Sequence, residues 1–558
     1  MTGTSVCRSL AILLLINAVT SENDSILRDT KQGRIEGETE VIDGQQIAIF
    51  RGIPYAQAPV RGLRFKNPAE LEKRDKLLTT RKWPPSCVKF NRSPLSASTP
   101  WNKAIESEDC LYLSIISKIE DNNELQKPLL AIFTNENVNL HEIIRHIVLK
   151  NVTAAIVQFR TGPLGYFSTG NDVAEGNWGL KDIEKALTWL NDNHQYFDYS
   201  PENITVMAQN EEAAALSLAA QLSSSRAGLF QRAILLNGNS HSPHFSPDES
   251  VVGFSKKLAD TVECDIPSQT QMVDCMRAIE LEELGAALNK IIVDETHGIL
   301  FRPTPSEHLE EGKDVFARII GAQYTLPTDI AHEFNENYTY ASFKKFLSNL
   351  ISAKDYKNAA LIRRLVLHNY IHSQGDKKDN KFLWKQSRQM LIDLRFIAPA
   401  ELELRTPDGE RPESWLFSYS INKPISSCLN KKSAELSEFC NLLFNFTTIF
   451  AKVGKPSTCK DSNPTWPQLK SIKYCYGKVQ DNRFDLSADF YQSAVSFWND
   501  LVPMIQQLEV PGRKETDVSE DEENELDEDD VQLWHQRTES EIIDGEKLLT
   551  DMPFRQEL

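Results

Sequence analysis

Short apolar runs alternate with a helical pattern along the first half of the chain, and this alternation limits the possible folds more than any other feature. Four runs, at residues 129–133, 154–159, 204–208 and 233–236, predict buried strands. Between the second and the third run, residues 179–189 carry apolar side chains at helical spacing. Strands that alternate with helices in this way predict an α/β fold, with a mostly parallel central sheet and helices on both faces.

The second half of the chain continues the pattern less regularly. Residues 316–322 and 415–420 predict two further strands, and residues 340–378 predict an inserted helical cap. The folded body is expected to end with the helical stretch 497–508. With 558 residues, 41% of them hydrophobic, the chain can bury a large core, so one large domain over residues 22–512 is the prediction.

Both ends of the chain differ from this body. Residues 1–21 combine Arg8, a short apolar run and small residues, which predicts a secretory signal peptide. From Glu515 to the end, 17 acidic residues stand against three basic ones, so this stretch carries −14 of the chain's net charge of −18. Residues 513–558 are therefore predicted to be an acidic, disordered tail. The acidic balance argues against nucleic acid as a partner.

Cysteines and sequons agree with passage through the secretory pathway. Eight cysteines follow the predicted signal peptide, and an even number in a secreted chain predicts disulfides. The alternative is that some of them stay reduced in the core. The predicted glycosylation sites are Asn23, Asn151, Asn203, Asn337 and Asn445. No clustered Cys/His spacing occurs, so neither a metal site nor a cofactor is predicted, and no segment after the signal peptide predicts a transmembrane helix.

Several sequence motifs occur in the order known from one enzyme family. They are Phe50-Arg51-Gly52-Ile53-Pro54-Tyr55-Ala56, Glu108-Asp109-Cys110-Leu111-Tyr112-Leu113, Asn177-Trp178-Gly179-Leu180-Lys181-Asp182 and Phe450-Ala451-Lys452-Val453-Gly454-Lys455-Pro456. From about residue 33 to about residue 508, the chain resembles the type-B carboxylesterases, the cholinesterase-like branch of the α/β-hydrolases. The resemblance implies an α/β-hydrolase fold and disulfides at Cys87 with Cys110 and at Cys264 with Cys275. Three pairings remain open for Cys428, Cys440, Cys459 and Cys475.

The residues at the family's nucleophile site depart from its pattern. An α/β-hydrolase carries its serine in a Gly-x-Ser-x-Gly turn between a strand and a helix. The matching residues here are Ala208-Gln209-Asn210-Glu211-Glu212, so Asn210 takes the place of the serine. A carboxamide cannot be activated as a nucleophile by a neighbouring base.

The other catalytic positions that the resemblance implies are also altered. Asn135 and Glu136 replace glycines of the oxyanion loop, which supplies backbone N–H donors. Leu326 falls at the position of the acid, although Asp329 is close enough to leave that alignment open. Lys432 falls at the position of the histidine, and a protonated lysine is a poor base. Because triad members act as a unit, these changes together predict a protein without esterase activity.

Two histidines flank the predicted site. His194 precedes the strand that leads to Asn210, and His241 follows the next strand. Either could act as a relocated base, but a lone histidine is more often an ordinary hydrogen-bonding residue.

The sequence favours a non-catalytic glycoprotein that uses the esterase scaffold for protein binding or adhesion. Serine-deficient proteins of the neuroligin, neurotactin and glutactin type, which the chain resembles, have such roles. One alternative is a resident of the endoplasmic reticulum lumen, because Arg555-Gln556-Glu557-Leu558 is similar to a retrieval signal and residues 517–530 could bind Ca²⁺ weakly. Another is a hydrolase with atypical residues. Family analogy suggests a homodimer contact at residues 494–508, and the protein partner is left open.

Overall fold

The computed structural model describes residues 24–90, 106–120, 126–220, 228–243, 245–291, 301–305, 317–324, 338–405, 413–420, 424–430, 434–456, 466, 476–480 and 483–508. The strands are β1 (Ser25–Thr30), β2 (Gly33–Ile42), β3 (Gln45–Pro54), β4 (Leu78–Thr79), β5 (Ser86–Cys87), β6 (Glu106–Ser107), β7 (Tyr112–Lys118), β8 (Lys127–Phe133), β9 (Thr153–Val157), β10 (Tyr199–Gln209), β11 (Arg232–Leu236), β12 (Ala317–Gln323), β13 (Ser414–Tyr419), β14 (Tyr476–Gln480) and β15 (Arg483–Ser487).

The α-helices of the described residues are α1 (Leu140–His146), α2 (Gly162–Tyr166), α3 (Trp178–Asn193), α4 (Asn210–Ala220), α5 (Ser250–Thr261), α6 (Gln269–Ala278), α7 (Leu281–Ile291), α8 (Tyr340–Leu350), α9 (Ala359–Leu367), α10 (Asn380–Ile392), α11 (Ala398–Leu402), α12 (Pro424–Asn430), α13 (Ala434–Val453), α14 (Gln492–Val495) and α15 (Val502–Gln507). Short 3₁₀ turns lie at Arg61–Leu63, Val148–Lys150 and His194–Tyr196.

One twisted sheet organises the described part of the chain. Its strand order is β1-β2-β3-β7-β9-β8-β10-β11-β12-β13-β14-β15, and β4 pairs with β2. The pairings from β9 to β14 are parallel, while the strands at the two ends are antiparallel. The predicted mostly parallel sheet is therefore confirmed, and the predicted strands lie within one or two residues of β8, β9, β11, β12 and β13. The strand predicted at residues 204–208 begins earlier, at Tyr199.

The central strands are apolar on both faces because both faces are covered. In β10, Val206 and Ala208 pack into one core, whereas Met207 points to the opposite side and packs into a second core. All three side chains are fully buried. Such continuous apolar runs, rather than an alternation of polar and apolar residues, are typical of parallel strands with helices on both sides.

The cap is helical, as predicted, and extends further than residue 378. Its helices α8, α9 and α10 share a third core with the last helices of the body, in which Phe343, Ile362 and Trp498 are buried. Three π-helical turns interrupt these helices, at His368–His372, Asp393–Ile397 and Ser496–Leu501.

Each π-helical turn contributes one side chain to a buried hydrogen-bonded chain. The Nε1 of Trp498 donates to the hydroxyl of Tyr370 at 2.9 Å, and that hydroxyl donates to Oδ2 of Asp393 at 2.8 Å. Burial raises the pKa of the Asp393 carboxyl group to about 6. The cap therefore contains an ionisable group inside its core.

The contacts of the chain divide it after Ile505. The first unit holds the sheet and the cap; the second begins at Gln506, and only residues 506–508 of it are described. The predicted signal peptide (residues 1–21) and acidic tail (residues 513–558) lie outside the described residues. Among the helices that the structure describes, none has the length and apolar character needed to cross a bilayer.

Candidate functional site

A sharp turn from strand to helix lies at the carboxyl end of β10. The strand ends at Gln209, and α4 begins at the next residue, Asn210. Asn210 has a φ of 51°, in the left-handed region, and its side chain is half-buried. Asparagine tolerates this region better than most residues with a Cβ. The strand–turn–helix that the sequence predicts is present, with Asn210 at its apex.

The close packing that this turn requires is provided by a glycine outside it. A Cβ on Gly238, in the loop after β11, would overlap with the carbonyl oxygen of Asn210. The turn itself has Ala208 and Glu212 at the positions where the sequence pattern has glycines. Sequence reasoning missed Gly238, although a glycine directly after a predicted strand was the available signal.

Gln209 fastens the turn to a helix from a distant part of the chain. Its buried Oε1 accepts a hydrogen bond from the amide of Ile425 at 2.8 Å, and its Nε2 donates to the hydroxyl of Ser426. Helix α12 is thereby held at the end of β10. Lys432 follows this helix but lies outside the described residues.

A pair of carboxamide side chains joins the ends of β11 and β12. Oδ1 of Asn237 accepts from the amide of Gln323 at 2.7 Å, and its Nδ2 donates to Oε1 of Gln323 at 3.2 Å. Both side chains are buried. Leu326 and Asp329 come shortly after this strand and lie outside the described residues.

The carboxamide of Asn135 closes the loop after β8. Nδ2 of Asn135 donates to the carbonyl of Phe159 at 2.9 Å, and its Oδ1 accepts from the Phe159 amide at 3.2 Å. The amide of Glu136 donates to the hydroxyl of Thr134 at 3.1 Å. The Glu136 carboxylate lies 3.1 Å from Nζ of Lys89. The Glu136 amide and the Asn135 side chain, which could stabilise an oxyanion here, are therefore already bonded within the protein.

The first turn of α4 adds negative charge beside Asn210. Glu211 and Glu212 are both half-buried there. Burial, the Asp182 carboxylate and the Glu212 carboxylate raise the pKa of the Tyr166 hydroxyl well above its usual value. The charge of Glu212 thus acts on the buried interior, where it opposes the formation of an anionic intermediate.

Comparison with known proteins agrees with this geometry. A model of the Carboxylesterase family matches residues 24–498. The chain belongs to the carboxylesterase family. It is 24% identical to the cocaine esterase of Homo sapiens, over 91% of this chain and 97% of that protein. It is 25% identical to carboxylesterase 1C of Rattus norvegicus (85% and 93% covered) and 28% identical to carboxylesterase 1E of Rattus norvegicus (89% and 98% covered).

Membership of the carboxylesterase family confirms the α/β-hydrolase fold that the motifs imply. The names of these relatives state esterase activity for those proteins. Asn210, which the sequence motif predicts at the position of the family's serine, lies at the apex of the turn. The residues predicted for the other two triad positions, Leu326 or Asp329 for the acid and Lys432 for the histidine, lie outside the described residues.

The two flanking histidines occupy different places in the carboxylesterase fold. His194 lies before the start of β10, where its Nδ1 is 2.7 Å from the carbonyl oxygen of Asn191. A strand of that length separates it from Asn210 by roughly 30 Å. His241 follows the loop of Gly238 and is partly exposed, with Nε2 3.9 Å from Oε2 of Glu403. Only His241 therefore lies near the turn.

A buried ion pair beside the turn was not foreseen from the sequence. Nη1 of Arg318, on β12, lies 3.0 Å from Oε1 of Glu403, and both side chains are at most 2% exposed. The Glu403 carboxylate also accepts hydrogen bonds from the hydroxyls of Ser217 (3.1 Å) and Ser240 (2.8 Å). Partners 85 residues apart in the chain leave no local pattern that could have identified them.

Three disulfides are present in the described residues. Cys87 is bonded to Cys110 and Cys264 to Cys275, which confirms the pairs that the resemblance implied. Cys428 is bonded to Cys440, which is one of the pairings that the sequence left open. Cys459 and Cys475 lie outside the described residues. These bonds fit an oxidising compartment.

The predicted glycosylation sites differ in their surroundings. Asn151 is exposed in a turn with a φ of 63°. Asn203 and Asn445 are half-buried, and their side-chain oxygens accept from Arg232 and from Lys150. Asn23 and Asn337 lie outside the described residues. Of the three sites that the structure describes, Asn151 is the one that is exposed to solvent.

A small cleft lies beside the Cys87–Cys110 disulfide. Arg64, Glu108 and Arg160 line it, and Arg64 pairs with Glu108 at 2.6 Å. Within the described ranges, no three His, Cys, Asp or Glu side chains come together in a way that would hold a metal ion.

Proposed function

We propose that this member of the carboxylesterase family does not hydrolyse esters and uses its scaffold to bind other proteins in the secretory pathway. The observation that carries the proposal is Asn210 at the apex of the strand–helix turn, with a φ of 51°. The backbone there has the geometry in which the family holds its nucleophile, but the side chain is a carboxamide. A carboxamide has no hydroxyl group to deprotonate.

The surroundings of Asn210 support the loss of catalysis. The side chains at the neighbouring strand ends bond to each other or to backbone groups: Asn135 to Phe159 and Asn237 to Gln323. The Glu136 amide, at an oxyanion-loop position, donates to Thr134. A substrate carbonyl would have to displace these internal bonds, so they favour a structural role over a catalytic one.

The Ser240 hydroxyl and the His241 imidazole do not form an alternative triad with Glu403. Ser240 donates directly to Glu403, and His241 also faces Glu403, at 3.9 Å. A serine nucleophile needs the histidine between itself and the carboxylate. The carboxylate is in addition neutralised by Arg318. This arrangement favours the non-catalytic proposal over a hydrolase with relocated residues.

Retention of the scaffold without the chemistry supports a binding role. The parallel sheet, the turn and three disulfides are all present in the described residues. A fold of this kind offers large surfaces for partners, and function depends on the sites that those surfaces carry.

An esterase assay tests the catalytic half of this proposal. The purified full chain is incubated with short-chain nitrophenyl esters, together with the Asn210→Ala and His241→Ala variants. We expect no turnover above the buffer rate for any of the three proteins. Turnover by the unaltered chain that disappears in His241→Ala would show that it is an active hydrolase.

A cell-binding assay tests the other half. Beads coated with the unaltered chain or with Asn210→Ala are presented to cells and washed. We expect equal, saturable binding of both proteins, because the binding surface does not depend on the position of a lost nucleophile. Absence of saturable binding by the unaltered chain would contradict the proposal.

A further inference from the structure

The helical cap carries a charge opposite to that of the rest of the chain. Residues 338–392 contain eleven Lys and Arg residues and three acidic residues, a net charge of +8 in a chain of net charge −18. At physiological ionic strength, charges act over roughly 8 Å. A ligand bound at the cap therefore interacts with the local positive charge more strongly than with the distant negative charges of the protein.

Part of this charge is gathered around one aromatic ring. Nζ of Lys344 lies 5.5 Å from the ring centre of Tyr340, and Nζ of Lys377 lies 6.0 Å from it. The Tyr340 hydroxyl is 3.2 Å from Nε2 of His372. The start of α8 and the loop before α10 thus present two ammonium groups at one place, next to the His372 side chain at the end of the turn after α9. Burial, followed by the charges of Lys377 and His368, lowers the pKa of the His372 imidazole.

A row of lysines continues along α10. Lys381 and Lys385 are both exposed and are one helical turn apart, whereas Leu383 and Trp384 between them are buried. Residues four apart on a helix are separated by roughly 6 Å along its axis. An extended peptide places every second side chain at roughly 6.6 Å. Carboxylates at alternate positions of an extended chain therefore match the spacing of this row.

The nearby acidic residues are already bonded to backbone groups. Oδ1 of Asp379 accepts from the amides of Lys381 and Phe382 and caps α10. Oδ1 of Asp376 accepts from the amide of Lys378 at 2.8 Å. These carboxylates stabilise the local backbone, so they only partly offset the positive charge of the surface.

We propose that the basic surface of the cap, formed by Lys344, Lys345, Lys377, Lys378, Lys381 and Lys385, binds an extended acidic segment of a partner protein. Lysine supplies a single-point cation, which suits separate carboxylates along a peptide; planar, bidentate recognition is the property of arginine. In addition, the spacing of Lys381 and Lys385 along α10 matches the spacing of alternate side chains in an extended peptide. The proposal goes beyond the binding function proposed above and does not depend on the state of Asn210.

Fluorescence anisotropy of a labelled polyglutamate peptide with the full chain tests this proposal. We expect binding at low salt that is lost at high salt, because the contact is electrostatic. Lys344→Glu/Lys345→Glu and Lys377→Glu/Lys378→Glu should each weaken binding by about tenfold, which corresponds to two reversed charges. Lys344→Arg/Lys345→Arg should retain it.

A matched control uses two exposed neighbouring lysines on another helix. Lys256→Glu/Lys257→Glu, in α5, changes the net charge by the same amount. We expect this variant to bind the peptide within about twofold of the unaltered chain, since its change lies outside the surface. No peptide binding by the unaltered chain, or an equal loss in the control, would refute the proposal. Binding of a heparin oligosaccharide without binding of the peptide would refute it too, because the surface would then recognise a polysaccharide.

Discussion

At the carboxyl ends of the central strands, buried polarity is carried by carboxamides, whereas in the core of the cap it is carried by a carboxyl group. Gln209, Asn237 and Asn135 each bond with backbone groups and stay neutral at every pH. Within the part of the chain that the structure describes, Asp393 accepts from two neutral donors, Tyr370 and Gln389, and its pKa is raised to about 6. The buried carboxamides at the strand ends therefore keep the same charge at every pH. The core of the cap, in contrast, contains a carboxyl group whose charge changes with pH.

The ion pair of Arg318 with Glu403 is a buried polar contact of a third kind, between two opposite charges, and it joins β12 to the end of α11. Arg318→Met leaves the Glu403 carboxylate buried without its cation and should lower the free energy of unfolding by about 3–5 kcal/mol. Chemical denaturation measures this. The control is Lys31→Met, because Lys31 pairs with Asp192 where both side chains are about half exposed. Its cost should stay below about 1 kcal/mol. Equal costs would show that burial does not distinguish the two pairs.

Gly238 tests how rigidly the strand ends are held. A methyl group at Gly238 overlaps with the Asn210 carbonyl, a backbone atom that cannot move alone, so Gly238→Ala should cost about 2–3 kcal/mol. Gly253 lies in α5 with open space around it, and Gly253→Ala should be neutral or stabilising by up to about 1 kcal/mol. Thermal or chemical unfolding of the two variants measures these changes in the free energy of unfolding. Tolerance of Gly238→Ala would mean that the turn can adjust.

The raised pKa of Asp393 gives the cap a pH dependence with a definite sign. Because the folded protein binds this proton more tightly than the unfolded chain, the stabilisation is present at low pH and is lost as pH rises from about 4 to about 6. Asp393→Asn should remove about 2 kcal/mol of this dependence. The measurement is the free energy of unfolding between pH 4 and 8 for both proteins. Parallel curves would show that Asp393 titrates normally.

The smallest effect is expected where the family carries its nucleophile. Asn210→Ser restores a hydroxyl, but the bonded oxyanion loop and the neighbouring carboxylates remain, so hydrolysis of nitrophenyl esters should stay at the buffer rate. The unfolding free energy should change by no more than about 1 kcal/mol. Ester turnover by this single variant would show that the other catalytic positions are more intact than the sequence indicates.

The sequence predicted those features that have a local pattern. The runs of β-branched residues gave the central strands, and the strand-to-helix signal around Asn210 gave the turn. The bounds of the cap were too short because α10 is amphipathic only weakly and continues through a π-helical turn. Gly238 and the pair of Arg318 with Glu403 depend on contacts between distant segments, which no spacing along the chain records. The Cys428–Cys440 pairing was open for the same reason, since four cysteines allow three arrangements.

The three disulfides have a consequence for biosynthesis. Their partners are only 23, 11 and 12 residues apart in the chain. In an oxidising compartment, the two cysteines of each pair become available almost together, and short loops close at little entropic cost. Each bond can thus form on the growing chain before the later strands of the sheet have been translated. A nascent chain of this kind needs little rearrangement of mispaired cysteines, and the order of translation itself favours the correct partners.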